Sequence, residues 1–221
     1  MSLHLTHRYT EALSWAIQLH ADQTRKGTAV PYIGHLLSVS AIVIEHDGSE
    51  DEAIAGLLHD AVEDQGGAET RAEIARRFGE PVAEIVDGCT DDSPAAGQPK
   101  RPWRARKEAY IAHVRAETSA SILLVSASDK LHNSRAILDD YNELGEAVWD
   151  RFNASREEIL WYYASLVEAF GQAEERLNAS GFNTAPLTSL LNKLEATVEE
   201  LHLMAEVGDF SDTMDELGDD L

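Results

Sequence analysis

The sequence lacks most of the features that mark secreted or membrane proteins. It contains one cysteine in 221 residues, so an intrachain disulfide cannot form, and this composition fits a reducing compartment. No apolar run approaches the roughly 18 residues that are needed to span a bilayer. The first residues, MSLHLTHRYTEAL, lack the basic start and the apolar run of a signal peptide. We therefore expect a cytoplasmic protein with no membrane partner.

Positive charge is also scarce, and it is unevenly distributed. The chain has 18 Lys and Arg against 40 Asp and Glu, a formal net charge of −22, which disfavours long nucleic acids as partners. No Lys or Arg follows Lys193, and the segment 194–221 carries ten acidic residues. Conversely, five basic residues fall within Lys100–Lys107. A basic cluster in an acidic chain indicates either a site for an anionic ligand or a solvated surface, and both interpretations stay open.

Strand patterns, internal repeats and glycine-rich nucleotide loops are missing as well. Apolar residues recur instead at three- and four-residue steps, which predicts an all-α fold. We expect a helical domain over 1–180 and a helical extension over 181–221 that ends in a flexible acidic tail. The predicted helices nearest the candidate site cover Gly34–Glu45, Glu50–Glu63, Trp103–Ala116, Ser119–Tyr141 and Ala147–Leu177, and the longest predicted loop covers 91–102.

Acidic and imidazole side chains crowd the end of one of these helices. Because residues four apart share a helix face, His59 aligns with Glu63 and Asp60 with Asp64. Crowded carboxylates repel one another unless a cation neutralises them or protons are shared. Adjacent histidine and aspartate side chains offer the nitrogen and oxygen ligands that suit Mn, Fe, Zn or Mg. The segment is therefore a candidate metal site.

Two further candidates, His35 and Asp129, interrupt apolar helices on either side of this segment. Each alone has an ordinary explanation, since a histidine at a helix start often packs in a core and an acid can pair with a neighbouring basic residue. Their joint order, His35, then His59 with Asp60, then Asp129, on three apolar helices favours a shared metal ion over separate structural roles.

This H…HD…D pattern resembles the HD-domain metal-dependent phosphohydrolase superfamily. More closely, four segments resemble the hydrolase domain of RelA/SpoT-type alarmone enzymes, namely RKGTAVPYIGHLLSVSAIV, AIAGLLHDAVEDQGG, EIVDGCT and VSASDKLHNSRAI. The similarity runs in order from about Thr10 to about Phe170. The paired ED after HD and the DKLHN segment are more specific than HD alone. The resemblance implies an HD-domain helical bundle with a C-terminal helical acidic extension.

The resemblance also assigns roles to individual residues. It implies one divalent ion, usually Mn²⁺ with Fe²⁺, Zn²⁺, Mg²⁺, Ni²⁺ and Co²⁺ left open, whose ligands are His35, His59, Asp60 and Asp129. It implies that the acids which position or activate the attacking water are Glu63 and Asp64. Four residues match the family's positions around the nucleotide: Arg25, Lys26, Tyr32 and Asn133. The implied reaction removes pyrophosphate from the 3′ position of a guanosine tetra- or pentaphosphate.

A phosphate substrate among so many acids also requires cations. After Arg25 and Lys26, the best candidates are Arg104 and Lys107, which lie about one helical turn apart. The loop RKGTAVPY is one residue longer than the usual RKSGEPY and lacks its Ser and Glu. Two alternatives therefore stay open, an HD phosphohydrolase for another small phosphate ester and a non-catalytic nucleotide-binding regulator. The sequence also leaves a homo-oligomer open.

Overall fold

Helices make up most of the chain in the computed structural model, which describes residues 4–90 and 101–218, with side chains as far as Glu206. The predicted loop over 91–102 falls mostly outside the described residues. The helices are α1 His7–Leu19, α2 Ile33–Glu45, α3 Glu50–Leu58, α4 Ala61–Asp64, α5 Ala68–Phe78, α6 Glu80–Cys89, α7 Trp103–Ala116, α8 Ala120–Leu144, a 3₁₀ helix Gly145–Arg151, α9 Arg156–Ala179 and α10 Ala185–Gly218. The described residues contain no strand, and the predicted all-α fold is confirmed.

Helix α8 is the central element of the bundle. It packs against α2, α3, α6, α9 and α10. Every residue from Leu123 to Asp129 is buried, because neighbouring helices cover the first half of α8 on all sides. The one acid in this run, Asp129, is therefore held in the interior of the protein, where an unpaired carboxylate would be costly.

Helices α2 and α3 approach each other closely at Gly56. A Cβ atom added there would lie only 3.0 Å from the backbone Cα of Ser40, so glycine is the residue that permits this approach. The start of α3 is fixed separately by a capping box, in which Ser49 and Glu52 exchange side-chain and backbone hydrogen bonds. The two helices bring His35 of α2 and His59 beside the buried part of α8.

The prediction of a single helix over Glu50–Glu63 is wrong, because the helix is interrupted between α3 and α4. Helix α3 ends at Leu58, with His59 as its C-cap, and Asp60 is the N-cap of the one-turn helix α4. In a regular helix two adjacent side chains point about 100° apart. The break turns both side chains toward the same place, so that His59 Nε2 lies 3.0 Å from Asp60 Oδ2.

A second predicted helix, Ala147–Leu177, is also interrupted. The chain continues from α8 into the 3₁₀ helix Gly145–Arg151, and α9 begins only at Arg156. Ser155 forms a capping box with Glu158, which gives α9 a strong start signal at that point. The interruption places Arg151 at the end of the 3₁₀ helix and Phe152 just after it, and both line a cavity together with Gly34 and His35 of α2.

Helix α10 lies along α8 and α9 and continues to Gly218. Its contact face is a stripe of buried leucines, Leu187, Leu190, Leu194 and Leu201. Lys193 Nζ lies 2.9 Å from Nε2 of the buried His46, which links α10 to the end of α2. The boundary near residue 180 and the flexibility of the acidic tail stay predictions. None of the helices in the described residues is long and apolar enough to cross a membrane.

Candidate metal centre and adjoining cavity

Helices α2 and α8 and the junction between α3 and α4 bring the four predicted metal ligands together. Ligand atoms of His35, His59 and Asp129 all lie within 4.8 Å of one another, and the three side chains are buried. Asp129 Oδ1 is 3.2 Å from His35 Nε2 and 3.5 Å from His59 Nε2. Asp60 Oδ2 completes the group, at 3.6 Å from His35 Nε2 and 3.0 Å from His59 Nε2. The arrangement is a mixed nitrogen and oxygen donor set.

The other ring nitrogens of the two histidines fix which nitrogen faces the carboxylates. His59 Nδ1 lies 3.0 Å from the carbonyl oxygen of Gly56 and donates to it. His35 Nδ1 lies 2.8 Å from His132 Nδ1. Burial, together with the nearby charges of His35 and Arg25, lowers the pKa of His132 to about 4, so His132 is neutral. With its proton on Nε2, neutral His132 accepts this hydrogen bond at Nδ1 and leaves His35 Nδ1 as the donor.

Both Nε2 atoms are consequently left for another partner. The Nε2 atoms of His35 and His59 are buried and make no hydrogen bond within the described residues. A buried polar atom without a partner is costly, and the commonest resolution for two such imidazoles beside carboxylates is a metal ion. The donor set therefore fits a divalent cation.

The electrostatics of the cluster lead to the same conclusion. Burial lowers the pKa of His59, but the carboxylates of Asp60 and Asp129 outweigh it and hold that pKa well above its ordinary value. Burial raises the pKa of Asp60, yet His59 and His35 hold it well below the usual range. Without a cation, the cluster thus retains a proton on imidazole, and a metal ion would replace that proton.

Neighbouring side chains hold the two carboxylates in place. Asp129 Oδ2 accepts from Lys130 Nζ at 2.6 Å, and its Oδ1 accepts from Asn133 Nδ2 at 2.6 Å. Tyr32 donates its hydroxyl to Asp60 Oδ2 at 2.5 Å. Burial and the charge of Asp60 raise the pKa of Tyr32, so the phenol stays protonated and remains a donor. Such supporting hydrogen bonds are typical of metal sites, because they orient the ligands.

A cavity of about 590 Å³ opens beside the cluster. It is lined by five of the sequence-predicted residues, Arg25, Lys26, Tyr32, His35 and Asn133. Arg25 Nη2 donates to Asn133 Oδ1 at 2.8 Å, and its backbone N–H donates to Val30 O at 2.8 Å. These bonds, with an isolated bridge between residues 24 and 31, hold the basic loop over the cavity.

The opposite wall of the cavity contains residues that the sequence did not indicate. Arg151 Nη1 pairs with Asp140 Oδ2 at 2.5 Å, and Lys26 Nζ lies 6.0 Å from the centre of the Phe152 ring. A Cβ atom on Gly27 would approach Arg151 Cγ to 3.0 Å, and Gly27 has a φ of 73°, so both space and backbone favour glycine. No local motif reveals this wall, because it forms only when the 3₁₀ helix packs against the loop.

The remaining predicted residues lie outside the lining of this cavity. Asp64 is exposed and accepts a hydrogen bond from Gln23 Nε2 at 2.8 Å, in a separate open cleft of about 440 Å³. Glu63 is half-buried on the same one-turn helix. Arg104 stacks on Trp161 with 3.1 Å to the ring centre. Lys107 Nζ lies 4.8 Å from the centre of the Tyr162 ring, also on α9. The catalytic and substrate-binding roles predicted for these four residues stay predictions.

Comparison with known proteins identifies the family. A family model described as an HD domain matches residues 12–160. This chain belongs to the HD domain family. The resemblance drawn from the H…HD…D motif is thereby confirmed at the level of the family and the fold.

Relatives of this HD domain include a Xenopus tropicalis protein named guanosine-3′,5′-bis(diphosphate) 3′-pyrophosphohydrolase MESH1, which is 38% identical over 128 residues, covering 57% of this chain and 66% of the relative. A Haemophilus influenzae protein of the same enzyme name is 29% identical over 157 residues, covering 69% of this chain and 21% of the relative. The chain thus spans less than two thirds of either relative. Their names agree with the class of enzyme, a phosphohydrolase, predicted from the sequence.

Two solved structures resemble this HD domain in fold. One is a metazoan orthologue of SpoT that hydrolyses ppGpp and plays a role in starvation responses, with a TM-score of 0.64, 24% identity, and coverage of 89% of this chain and 97% of that one. The other is lmo0812 from Listeria monocytogenes EGD-e, with a TM-score of 0.61, 26% identity, and coverage of 75% and 96%. The match therefore extends over nearly the whole of both solved chains.

Proposed function

We propose that this HD domain is a divalent-metal-dependent hydrolase that removes pyrophosphate from the 3′ position of guanosine 3′,5′-bis(diphosphate). The observation that carries the proposal is a buried cluster in which two histidine Nε2 atoms make no hydrogen bond and face the carboxylates of Asp60 and Asp129, beside a cavity lined by Arg25 and Lys26. A cation site next to cationic side chains suits a substrate with several phosphate groups. The enzyme name of the Xenopus relative supports this choice of substrate.

The residues that would hold the metal are His35, His59, Asp60 and Asp129. A bound divalent ion supplies Lewis acidity, which lowers the pKa of water and offsets negative charge on the phosphoryl group. We propose Mn²⁺, because a mixed set of imidazole and carboxylate ligands suits it and the family resemblance favours it. The chain itself orients the donors through Tyr32, Asn133 and the two Nδ1 hydrogen bonds.

Substrate phosphates would be bound by Arg25, Lys26 and Arg151. Arginine presents a planar fork of donors that matches phosphate oxygens, and three cations would offset the acidity of the chain around the cavity. Asn133 couples this region to the metal centre, since its Oδ1 accepts from Arg25 and its Nδ2 donates to Asp129. A substrate held by Arg25 would therefore be aligned with the ligand cluster.

In the proposed reaction, the water oxygen bonds to the phosphorus attached to the 3′ oxygen, and the bond between that phosphorus and the 3′ oxygen breaks. The products are pyrophosphate and a nucleotide with a free 3′ hydroxyl group. A carboxylate, Asp64 with Glu63 as the neighbouring candidate, accepts the proton that the water loses, and the 3′ oxygen gains a proton. Asp64 is close enough to Tyr32 for its charge to contribute to the raised pKa of that phenol. This proximity supports a role beside the metal centre.

The proposed setting is the cytoplasm. The one thiol, Cys89, is buried, and burial raises its pKa to about 11, so it is a poor nucleophile and is not poised for oxidation. A reducing compartment that contains nucleotides fits this composition.

The test is a substrate panel with metal-depleted and Mn²⁺-reloaded protein, followed by chromatography of the nucleotides and an assay of pyrophosphate. We expect Mn²⁺-dependent release of pyrophosphate from guanosine 3′,5′-bis(diphosphate) and none from GTP, which has no 3′ phosphate. Faster hydrolysis of another phosphate ester would reassign the enzyme to that substrate. Nucleotide binding without turnover in any metal would instead indicate a regulator.

A further inference from the structure

We infer that His20 and Gln23 form a positioning pair that fixes the orientation of the Asp64 carboxylate. The inference rests on the proposed function, because it concerns the carboxylate that accepts a proton in the proposed reaction. Both residues lie between α1 and α2, His20 as the C-cap of α1 and Gln23 in the turn that follows. Neither is a metal ligand nor part of the lining of the large cavity.

The hydrogen bonds of Gln23 allow one orientation of its amide. Gln23 Nε2 donates to Asp64 Oδ2 at 2.8 Å, and Gln23 Oε1 accepts from Gln65 Nε2 at 2.7 Å. The same Oε1 lies 2.7 Å from His20 Nδ1. An amide oxygen only accepts and an amide NH₂ group only donates, so all three contacts are satisfied only when His20 Nδ1 carries a proton. If the Gln23 amide were flipped, its oxygen would face the Asp64 carboxylate, and the two acceptors would repel each other.

The imidazole of His20 is itself held in place by Tyr32. His20 is 3% exposed, and its ring stacks on Tyr32 with 5.5 Å between centroids and 26° between planes. Tyr32 in turn donates to the metal ligand Asp60. His20 Nε2 is buried and makes no hydrogen bond within the described residues, so the side-chain hydrogen bond that orients the ring is the one with Gln23.

Asp64 needs such a partner because of where it lies. Its side chain is exposed on α4, a helix of one turn, and an exposed carboxylate in water samples several rotamers. The Gln23 hydrogen bond selects one of them. The backbone N–H of Tyr32 also donates to the carbonyl oxygen of Gln23 at 2.9 Å, so the donor is tied to the residue that contacts Asp60. The pair thereby links the orientation of the proton acceptor to the metal centre.

A purely structural role is the competing explanation. In that case the pair would only fasten the turn after α1 to α4, and its loss would lower thermal stability without a selective effect on turnover. A positioning role predicts a different pattern, because misplacing a catalytic group by about 1 Å costs up to about 10²-fold in rate while leaving substrate binding intact.

The first experiment compares Gln23→Leu with the wild-type protein at saturating Mn²⁺. We expect kcat to fall about tenfold, a part of the roughly 10²–10⁴-fold that a general base contributes, with KM, Mn²⁺ affinity and melting temperature unchanged. The matched control is Gln18→Leu. Gln18 is an exposed residue on the same cleft and has no hydrogen bond to Asp64 within the described residues. We expect its kcat to equal that of the wild type.

The second experiment tests whether the effect passes through Asp64. In an Asp64→Asn background, Gln23→Leu is expected to cause no further loss of kcat, because the group that it positions is gone. His20→Phe keeps an aromatic ring on Tyr32 but removes the Nδ1 donor, so we expect the same fall as for Gln23→Leu. His20→Asn returns a donor near the position of Nδ1 and is expected to recover part of the lost kcat.

Two results would overturn the positioning role while leaving the proposed function intact. In the first, the wild-type protein is active and the Gln23→Leu variant has the same kcat. In the second, Gln23→Leu lowers kcat as much in the Asp64→Asn variant as it does in the wild-type protein. Because His20→Phe breaks the same link without altering Gln23, it gives the answer if Gln23→Leu does not fold. Absence of any turnover of guanosine 3′,5′-bis(diphosphate) by the wild-type protein would overturn the proposed function itself, and this role with it.

Discussion

The two basic clusters of the chain have different surroundings, although the sequence indicated both of them as candidates for phosphate binding. Arg25 and Lys26 lie on a loop over the cavity, and the partner of Arg25 is Asn133, which also donates to Asp129. Arg104 and Lys107 lie on α7, with their cationic groups over aromatic rings of α9. The local density of positive charge therefore does not decide which cluster lines the cavity; the packing around each cluster decides it.

The largest expected effect comes from replacing Asp129, which lies close to the loop that carries Arg25 and Lys26. Asp129→Asn keeps the shape of the side chain but removes a negative charge from the ligand set. We expect weaker Mn²⁺ binding and a loss of at least about 10³-fold in kcat/KM, since the metal supplies several kcal/mol of transition-state stabilisation. Calorimetric Mn²⁺ titration and turnover assays measure the two effects. Retention of both would exclude Asp129 as a ligand.

The direct comparison of the two clusters comes next. Arg25→Ala is expected to reduce kcat/KM by about 10- to 100-fold, because a hydrogen bond to a charged group contributes about 1.5–3 kcal/mol. The matched variant Arg104→Ala is expected to change kcat/KM by less than about twofold. Both are measured under the same substrate and metal concentrations. A large effect of Arg104→Ala would show that α7 meets the substrate during turnover.

The buried cluster also responds to pH through His59. The carboxylates around His59 overcome the effect of burial and raise its pKa well above the ordinary value, so the metal-free site keeps a proton at neutral pH. Metal binding must release this proton. Mn²⁺ affinity is therefore expected to rise about tenfold per pH unit until the pH exceeds that raised pKa. Calorimetric titrations in buffers of different ionisation enthalpy measure the number of protons released when Mn²⁺ binds. An Mn²⁺ affinity that does not change with pH would refute the link between metal binding and proton release.

The smallest expected effect concerns the stability of α7. Arg104 stacks on Trp161 and pairs with Glu108, and both partners are partly exposed. Arg104→Ala is expected to lower the free energy of unfolding by about 1 kcal/mol, the sum of a modest cation–π contact and an i,i+4 ion pair. Urea unfolding measures this change, with Arg101→Ala as a neighbouring comparison. An unchanged midpoint would mean that the stacking contributes nothing in solution.

The sequence predicted the cluster well because its residues have strong local signals. A carboxylate within a run of apolar residues, as at Asp129, has few ordinary explanations, and the adjacent His59 and Asp60 offer two ligand types at once. The fold class followed from helical periodicity. The interruption of the helix after Leu58 was missed because the apolar spacing continues through it.

Local sequence patterns also could not predict the cavity wall that Arg151 and Phe152 form. Arg151 and Asp140 are eleven residues apart and meet only because the chain turns from α8 into a 3₁₀ helix. The positioning pair has the same character, since Gln23 and Asp64 are 41 residues apart in sequence. Contacts of this range depend on tertiary packing, and periodicity carries no information about them.

The close approach at Gly56 has a consequence for the geometry of the histidine and aspartate cluster. The contact with Ser40 is between backbones, so it has no flexible side chain that could yield. A methyl group at that position would force α2 and α3 apart, and with them His35 and His59. Gly56 also accepts a hydrogen bond from His59 Nδ1 through its carbonyl oxygen. One glycine thus sets both the spacing of the two helices and the orientation of a histidine in the cluster.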